Sequence, residues 1–372
     1  MTDSHATRIT TADGQAVTVT SRTTAVTNWA LRYFGSWWNA HTVEACDVHG
    51  PVVAADVDPD ALAALTRRVT AGEAAEVEFA GDRLLYTTDA DGSVTAAQPG
   101  SRLAYRWEPA ESRLIVVGED ETAVATAAAR LAREVVRGRL LADGWQILHA
   151  SAVSNPDGAT VLAFGDKGAG KTTCGFLLAR AGWRLLANDR VFVRVEGDLV
   201  RVLPWPSAAA IGFGLLDSMG LYEPVRRRLL AGEKMHPTQH QRVTEALIAN
   251  ERQPLWKPSG KELKPQFFPD QLTTWLGMDL SVEGHAAALL FPQIRAGAEP
   301  ALSDEKRGVQ DGDFFNASTE DRYPDVFGLL PVTSPSAALS HRLASLPHQS
   351  FVLGHDPAAA TTLLDKVTNR ML

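Results

Sequence analysis

From Val161 to Gly182 the sequence reads VLAFGDKGAGKTTCGFLLARAG, an apolar run joined to an amphipathic one through three glycines and a lysine. No other stretch constrains the fold as tightly. The run TVLAF is short, apolar and β-branched, the pattern of a strand buried in a parallel sheet. From Lys171 onward, Cys174, Leu177, Leu178 and Ala181 recur at helical spacing, and Gly182 stands where a left-handed C-cap is usual. The next run, WRLLA, predicts a strand that returns parallel to TVLAF through a right-handed crossover. Strand, glycine loop, helix and returning strand make an α/β unit.

Gly165, Asp166, Lys167, Gly168, Ala169, Gly170, Lys171 and Thr172 match G-x-x-x-x-G-K-[ST] at every fixed position. Glycines let the backbone wrap a pyrophosphate with its N–H groups inward, and the unpaired amides at the helix start add partial positive charge. Lys171 can reach the β- and γ-phosphates, the Thr172 hydroxyl can ligate Mg²⁺, and Thr173 continues the cradle. The alternative is a glycine-rich turn with a solvated lysine. A returning strand parallel to TVLAF ends at the same sheet edge as the loop, where ligands of such sheets sit. Asn188 and Asp189 stand there. Asp189 can hold Mg²⁺ or accept the proton of an attacking hydroxyl, or it is only a turn former. Asn188 can hydrogen-bond but is a poor base.

The chain of 372 residues is long enough for two domains. Its first 20 or so residues are Thr-rich and read as a frayed edge strand or a tail. Period-2 runs follow (VEFAG, DRLLYTT, SRLAYRW, SRLIVVG), predicting an antiparallel sheet, and then ETAVATAAARLAREVVRGRLL predicts one long helix. These place an α+β domain at residues 1–142, with acceptor recognition or dimerisation as its candidate role, and a catalytic domain at 143–372. In the latter, RVFVRV and LVRVLP predict a hairpin, DQLTTWLG a short helix and AAALLFPQI a buried strand. Residues 297–325 predict a long mobile loop, while 223–265 are weakly periodic.

A net charge of -8 argues against a nucleic-acid partner, which needs a basic face. The chain lacks an apolar run of membrane-spanning length and a secretion signal, and it has two cysteines, Cys46 and Cys174, so the expectation is a cytoplasmic, disulfide-free protein. His41, Cys46 and His49 are too loosely spaced for a zinc finger. Trp37, Trp38 and Trp205 read as core or interface aromatics. Lys257, Lys261 and Lys264 form a basic patch that reads as solvated.

LHASAV, the glycine loop and GWRLLANDRVFVR, at this spacing, resemble the catalytic domain of the HPr kinase/phosphorylase family, whose P-loop domain is itself similar to that of phosphoenolpyruvate carboxykinase. The resemblance covers residues 145–206 and fades toward Ile294. It implies ATP- and Mg²⁺-dependent phosphorylation of a hydroxyl, a carrier-protein serine in founding members and the C-terminal serine of a peptide precursor in others. By position, the family's phosphate-side histidine falls on His149, its loop lysine on Lys171, its Mg²⁺ hydroxyl, usually Ser, on Thr172, and its paired aspartates on Asn188 and Asp189. Asn188 departs from that pattern, and the family's carrier-binding segment has no counterpart here. His149 reads equally as a satisfied interior residue. Arg295, at the end of AAALLFPQI, lies on the phosphate edge if that strand is parallel to TVLAF; otherwise it is a solvated cation like Lys306 and Arg307. Founding members are hexamers, so a homo-oligomer is open.

The reading is a P-loop kinase domain of the HPr kinase and phosphoenolpyruvate carboxykinase type, preceded by a smaller, mostly antiparallel α+β domain. It transfers the γ-phosphate of ATP to an alcohol on a peptide or a small metabolite, without nucleic acid or membrane. The alternatives are a nucleotide-gated binding module and a simple NTPase.

Overall fold

A computed structural model describes residues 5–44, 47–315, 322–332 and 336–372. Cys46 lies outside the described residues. The chain divides into two compact units, one of residues 1–145 with 315–334 and one of residues 146–314 with 335–372.

The first unit is built on nine strands: β1 (His5–Thr10), β2 (Ala16–Ser21), β3 (His41–Val43), β4 (Val52–Val57), β5 (Ala75–Phe79), β6 (Asp82–Thr88), β7 (Val94–Gln98), β8 (Leu103–Glu108) and β9 (Arg113–Gly118). Their order is β3-β1-β2-β4-β9-β8-β7-β6-β5. Two of the pairings, β2 with β4 and β4 with β9, are parallel. The rest are antiparallel. Helices α1 (Thr24–Phe34), α2 (Pro59–Thr70) and α3 (Glu121–Ala142) pack on this sheet. Asp58 and Asp120 cap α2 and α3 by accepting from Ala61 and Ala123 amides.

The Thr-rich start is neither tail nor edge: β1 lies between β3 and β2. Ile9, Val17 and Val19 are fully buried, and Thr7 donates its hydroxyl to the Thr27 carbonyl at 3.0 Å. Thr is β-branched and suits a strand, and a bonded hydroxyl can be buried without penalty. Trp37 and Trp38 are core residues, with Trp38 stacked on Phe34 at 5.4 Å. The chain returns to this unit after residue 314, so the second unit is not the continuous 143–372. Tyr323 and Phe327 bring it back, both meeting the Phe79 ring edge-on.

In the second unit the strands are β10 (Gln146–Leu148), β11 (Ser151–Ser154), β12 (Ala159–Ala163), β13 (Arg184–Ala187), β14 (Val191–Glu196) and β15 (Leu199–Pro204), with α4 (Lys171–Arg180) between β12 and β13. A helical excursion follows: α5 (Phe213–Ser218), α6 (Tyr222–Leu230), α7 (Gln241–Ala249) and α8 (Pro269–Thr274), with two-residue strands β16 (Ala209–Ala210), β17 (Leu255–Trp256), β18 (Glu262–Leu263) and β19 (Gln266–Phe267). The chain re-enters the sheet with β20 (Gly284–Ile294), β21 (Ala301–Leu302) and β22 (His348–Leu353), and adds α9 (Ala337–Ala344) and α10 (Pro357–Met371).

The strand order is β10-β14-β15-β20-β12-β11-β13, with β22 on β20. β20 runs parallel to β12 and to β22. The predicted all-parallel surroundings of TVLAF are corrected: β11 lies between β12 and β13, antiparallel to both. The returning strand therefore still runs parallel to β12, but one strand away. Leu162, Phe164, Leu186, Val193, Leu289 and Phe291 meet in the core. The predicted mobile loop 297–325 is largely anchored in its described part, because β21 pairs with β22 and Phe314 bridges to Leu148. Residues 316–321 of it lie outside the described residues. No helix among the described residues is long and apolar enough to cross a membrane.

Candidate phosphate-binding site

β12 delivers the chain to a sheet edge, and the Phe164 amide still donates to the Leu290 carbonyl of β20 at 2.9 Å. The glycine loop begins at the next residue. Gly165, Gly168 and Gly170 have φ of 146°, 89° and 110°, values that L side chains rarely adopt. Two of them are also crowded. A Cβ on Gly165 would fall 2.8 Å from the Ala169 Cβ, and one on Gly170 would fall 2.9 Å from Ile294 Cγ1. Gly170 is the N-cap of α4 and offers no side-chain acceptor to the first amides of that helix. Those amides remain donors for an anion.

Lys171 folds back over its own loop, donating to the carbonyls of Gly165 and, at 3.3 Å, Asp166. Burial holds its ammonium below the ordinary 10.5, and the charge of Arg307 adds to that; Asp189, Asp313 and Asp166 oppose it. The charged groups that act on Lys171 are thus the local inventory of the site.

Asp189 is set in place by the packing beneath it. Gly175 of α4 lets the helix press on β11, since a Cβ there would meet Ser151 Oγ at 2.2 Å. That same Ser151 hydroxyl donates to the Ala187 carbonyl at 3.1 Å, tying β11 to the last residue of β13. Asn188 and Asp189 follow directly, Asn188 buried and Asp189 exposed. Arg190 Nε lies 3.9 Å from the Asp189 carboxylate, and its guanidinium sits over the Trp205 ring. Trp205, stacked on Phe192 at 5.0 Å, is a core aromatic.

His149 occupies the break between β10, paired with β14, and β11, paired with β12. It is half-buried, and its amide donates to the Asp313 carbonyl at 2.8 Å. Asp313 belongs to a 3-10 turn, Asp311–Asp313, and is itself buried. Its carboxylate accepts from Arg307 Nη2 at 2.8 Å and from the Gln310 amide at 2.9 Å. The Arg307 guanidinium lies over the Phe291 ring at 4.8 Å. Its Nη1 is buried with no hydrogen-bond partner among the described residues.

Asp166 and Asp189 are therefore close enough to Lys171 to act on it electrostatically, whereas His149 is tied to this group by the main-chain bond from its amide to the Asp313 carbonyl. Thr172 and Thr173, half-buried, open α4 beside Lys171. Lys167 is exposed on the loop. Arg295 follows Ile294 on the same edge of β20, exposed, with Nη2 donating to Gln293 at 2.7 Å. It is not among the charges that act most on Lys171. Lys257 and Lys261 lie exposed near the β17–β18 ladder, and Lys264 pairs with Glu262 at 3.2 Å. The sequence read Arg307 as a solvated cation and did not single out Asp313: both stand in a polar, charged segment without periodicity. The one available signal was that Arg307 follows the strand whose end meets the loop.

No protein-family model matches the chain, and no curated protein matches it. Among solved structures it has a distant likeness to the Hpr(Ser) kinase/phosphatase from Coxiella burnetii, with 11% sequence identity over 61% of this chain and 98% of that chain and a TM-score of 0.26.

Proposed function

We propose that this protein is a kinase that holds ATP and Mg²⁺ on residues 165–173 and transfers the γ-phosphate to a hydroxyl, on a serine-like peptide side chain or a small-metabolite alcohol. The observation that carries this reading is the convergence on one sheet edge of the left-handed glycine loop, Lys171 and Asp189. The residues fit the group they would hold. A loop whose glycines adopt positive φ and a helix start without a side-chain cap suit a polyphosphate. Mg²⁺ needs few protein ligands when phosphates and water supply the others, so the Thr172 hydroxyl would suffice as its direct ligand, with Asp189 reaching it only through water and so left free for the acceptor. Bound there, the metal would neutralise charge between the phosphates.

The protein's own groups then have distinct tasks. The amides at the α4 start and Lys171 orient the phosphates, which requires Lys171 to exchange its loop carbonyls for phosphate oxygens. Asp189, exposed just beyond the end of β13, would position the incoming hydroxyl and can take its proton. His149, between β10 and β11 and held by its amide to Asp313, would assist in the same task. Positioning and charge neutralisation account for most of the rate.

Incubation with γ-labelled ATP and serine-containing peptides or small alcohols tests this. Wild type should label an acceptor, while Lys171→Ala and Asp189→Asn should lose labelling by about a hundredfold or more with the fold retained. Labelling at the wild-type rate by either variant would refute the assignment. One observation favours a second reading, a nucleotide-gated binding module: Asn188, buried and uncharged, stands where a second acid would be expected. Nucleotide binding with neither label transfer nor acceptor-stimulated ADP release would select it.

A further inference from the structure

We infer that Arg307 is a second phosphate-contacting cation of this site, presenting its guanidinium to the terminal phosphate of the nucleotide that Lys171 holds. This rests on the proposed nucleotide site and adds to it the group that reads the third phosphate.

Three independent features converge on Arg307. Its mounting is rigid: Asp313 Oδ1 accepts from Nη2 at 2.8 Å, and the guanidinium plane covers the Phe291 ring at 4.8 Å. Phe291 is in β20, whose Leu290 carbonyl receives the amide just before the glycine loop. A guanidinium fixed in this way loses little freedom on binding an anion. Its hydrogen bonding is incomplete, because Nη1 is buried without a partner among the described residues while the side chain as a whole keeps 18% exposure. A buried, unmet donor of a charged group is costly, and native structures keep such groups where a ligand or a function uses them. Finally, Arg307 stands near enough to Lys171 to act on it as a like charge. Asp313, bonded to Arg307, already acts on Lys171 as an anion shared by the two cations, and a phosphate bound to both would add a second. A terminal phosphate satisfies all three conditions at once, and Asp313 keeps the guanidinium aimed.

Lys306 is the natural control, an exposed cation next in sequence. Binding of ATP and of ADP to the full chain is measured by calorimetry for wild type, Arg307→Ala, Arg307→Lys and Lys306→Ala. The inference predicts that Arg307→Ala weakens ATP roughly ten- to a hundredfold, the range of a lost charge-assisted hydrogen bond, and ADP much less. Arg307→Lys should recover part of the ATP affinity, and Lys306→Ala should match wild type. Equal losses for ATP and ADP, or unchanged ATP affinity, would overturn it while leaving the nucleotide site standing. Should Arg307→Ala fail to fold, Arg307→Lys decides: a wild-type ratio of ATP to ADP affinity overturns the inference, a reduced one supports it. Wild type that binds neither nucleotide would overturn the underlying site itself.

Discussion

Replacing Gly170 by alanine and comparing it with the same change at Gly168 tests how tightly the loop is packed against β20. Both glycines have positive φ, so both substitutions incur backbone strain of about 1–2 kcal/mol. Each is offset by about 0.4–1 kcal/mol, because alanine restricts the unfolded chain. A Cβ at Gly168 would meet nothing within 4 Å, so Gly168→Ala should cost about 1 kcal/mol. At Gly170 the new methyl meets Ile294 Cγ1 at 2.9 Å and Cδ1 at 3.2 Å. Overpacking of that kind adds about 1–3 kcal/mol, which gives a total of about 2–4 kcal/mol. Truncating the neighbour separates the two contributions: Ile294→Ala removes both colliding atoms, so it should recover most of the packing part and none of the strain. The assay is urea unfolding of wild type, both single glycine variants, Ile294→Ala and the double variant, read as changes in midpoint at unchanged m. The coupling between Gly170→Ala and Ile294→Ala should then be about 1–3 kcal/mol in the stabilising sense. Equal destabilisation by the two glycine variants, together with no coupling to Ile294, would refute the contact that fixes the loop on the sheet edge.

The remaining expectations concern charge and packing. Lys171 is held below 10.5 by burial, so between its folded value and 10.5 the unfolded chain binds more protons and stability rises with pH. Any stability advantage of Lys171→Met over wild type without nucleotide should therefore shrink as pH approaches 10.5; an advantage constant across that range in pH-dependent urea titrations would contradict it. Glu134 sits between Arg133 and Arg137, with side-chain exposures of 7%, 9% and 2%. Glu134→Ala leaves two guanidinium charges buried without their shared carboxylate and should cost about 3–5 kcal/mol by urea unfolding, against near-neutral behaviour if the site is solvated. At Gly138 a Cβ would fall 2.1 Å from the Leu329 carbonyl, so Gly138→Ala should expose residues 322–332 to limited proteolysis although alanine is the better helix former.

How far the site was legible depends on whether its determinants are local. The glycine loop announces itself, because conformational demand and ligand chemistry both act within residues 165–172, and the strand and helix beside it have clear periodicity. Asp189 could be placed from one topological step, a return parallel to β12, and that direction held even though β11 intervenes. The insertion of β11 was not legible: runs as short as SAVS and ATVLA on either side of a turn pair equally well with a parallel or an antiparallel neighbour. The first 20 residues misled for a related reason. Threonine counts as polar in a composition, yet Thr7 and Thr18 sit fully inside a sheet where their branched side chains pack. Arg307 and Asp313 were the hardest, since a charged segment without periodicity looks solvated until the fold bends it over Phe291.

That last case bears on how the site balances its charges. Lys171 and Arg307 would repel each other across an open loop, and Asp166, Asp189 and Asp313 are the carboxylates that offset them. They differ in freedom. Asp313 is buried and committed to Arg307 and the Gln310 amide, whereas Asp189 is exposed and, among the described residues, is approached by Arg190 at 3.9 Å. An anionic ligand on the loop would take over the neutralising of the two cations, and of Asp313 and Asp189 it is Asp189 that it would release, because its attachment is the weaker. Release of that group at the moment the phosphates bind would supply a base for the acceptor hydroxyl only once a donor is in place. Asp189→Asn should accordingly leave ATP affinity within about threefold of wild type, or raise it, while removing transfer; a loss of affinity as large as that of Lys171→Ala would mean that Asp189 serves the phosphates and their metal instead of the acceptor.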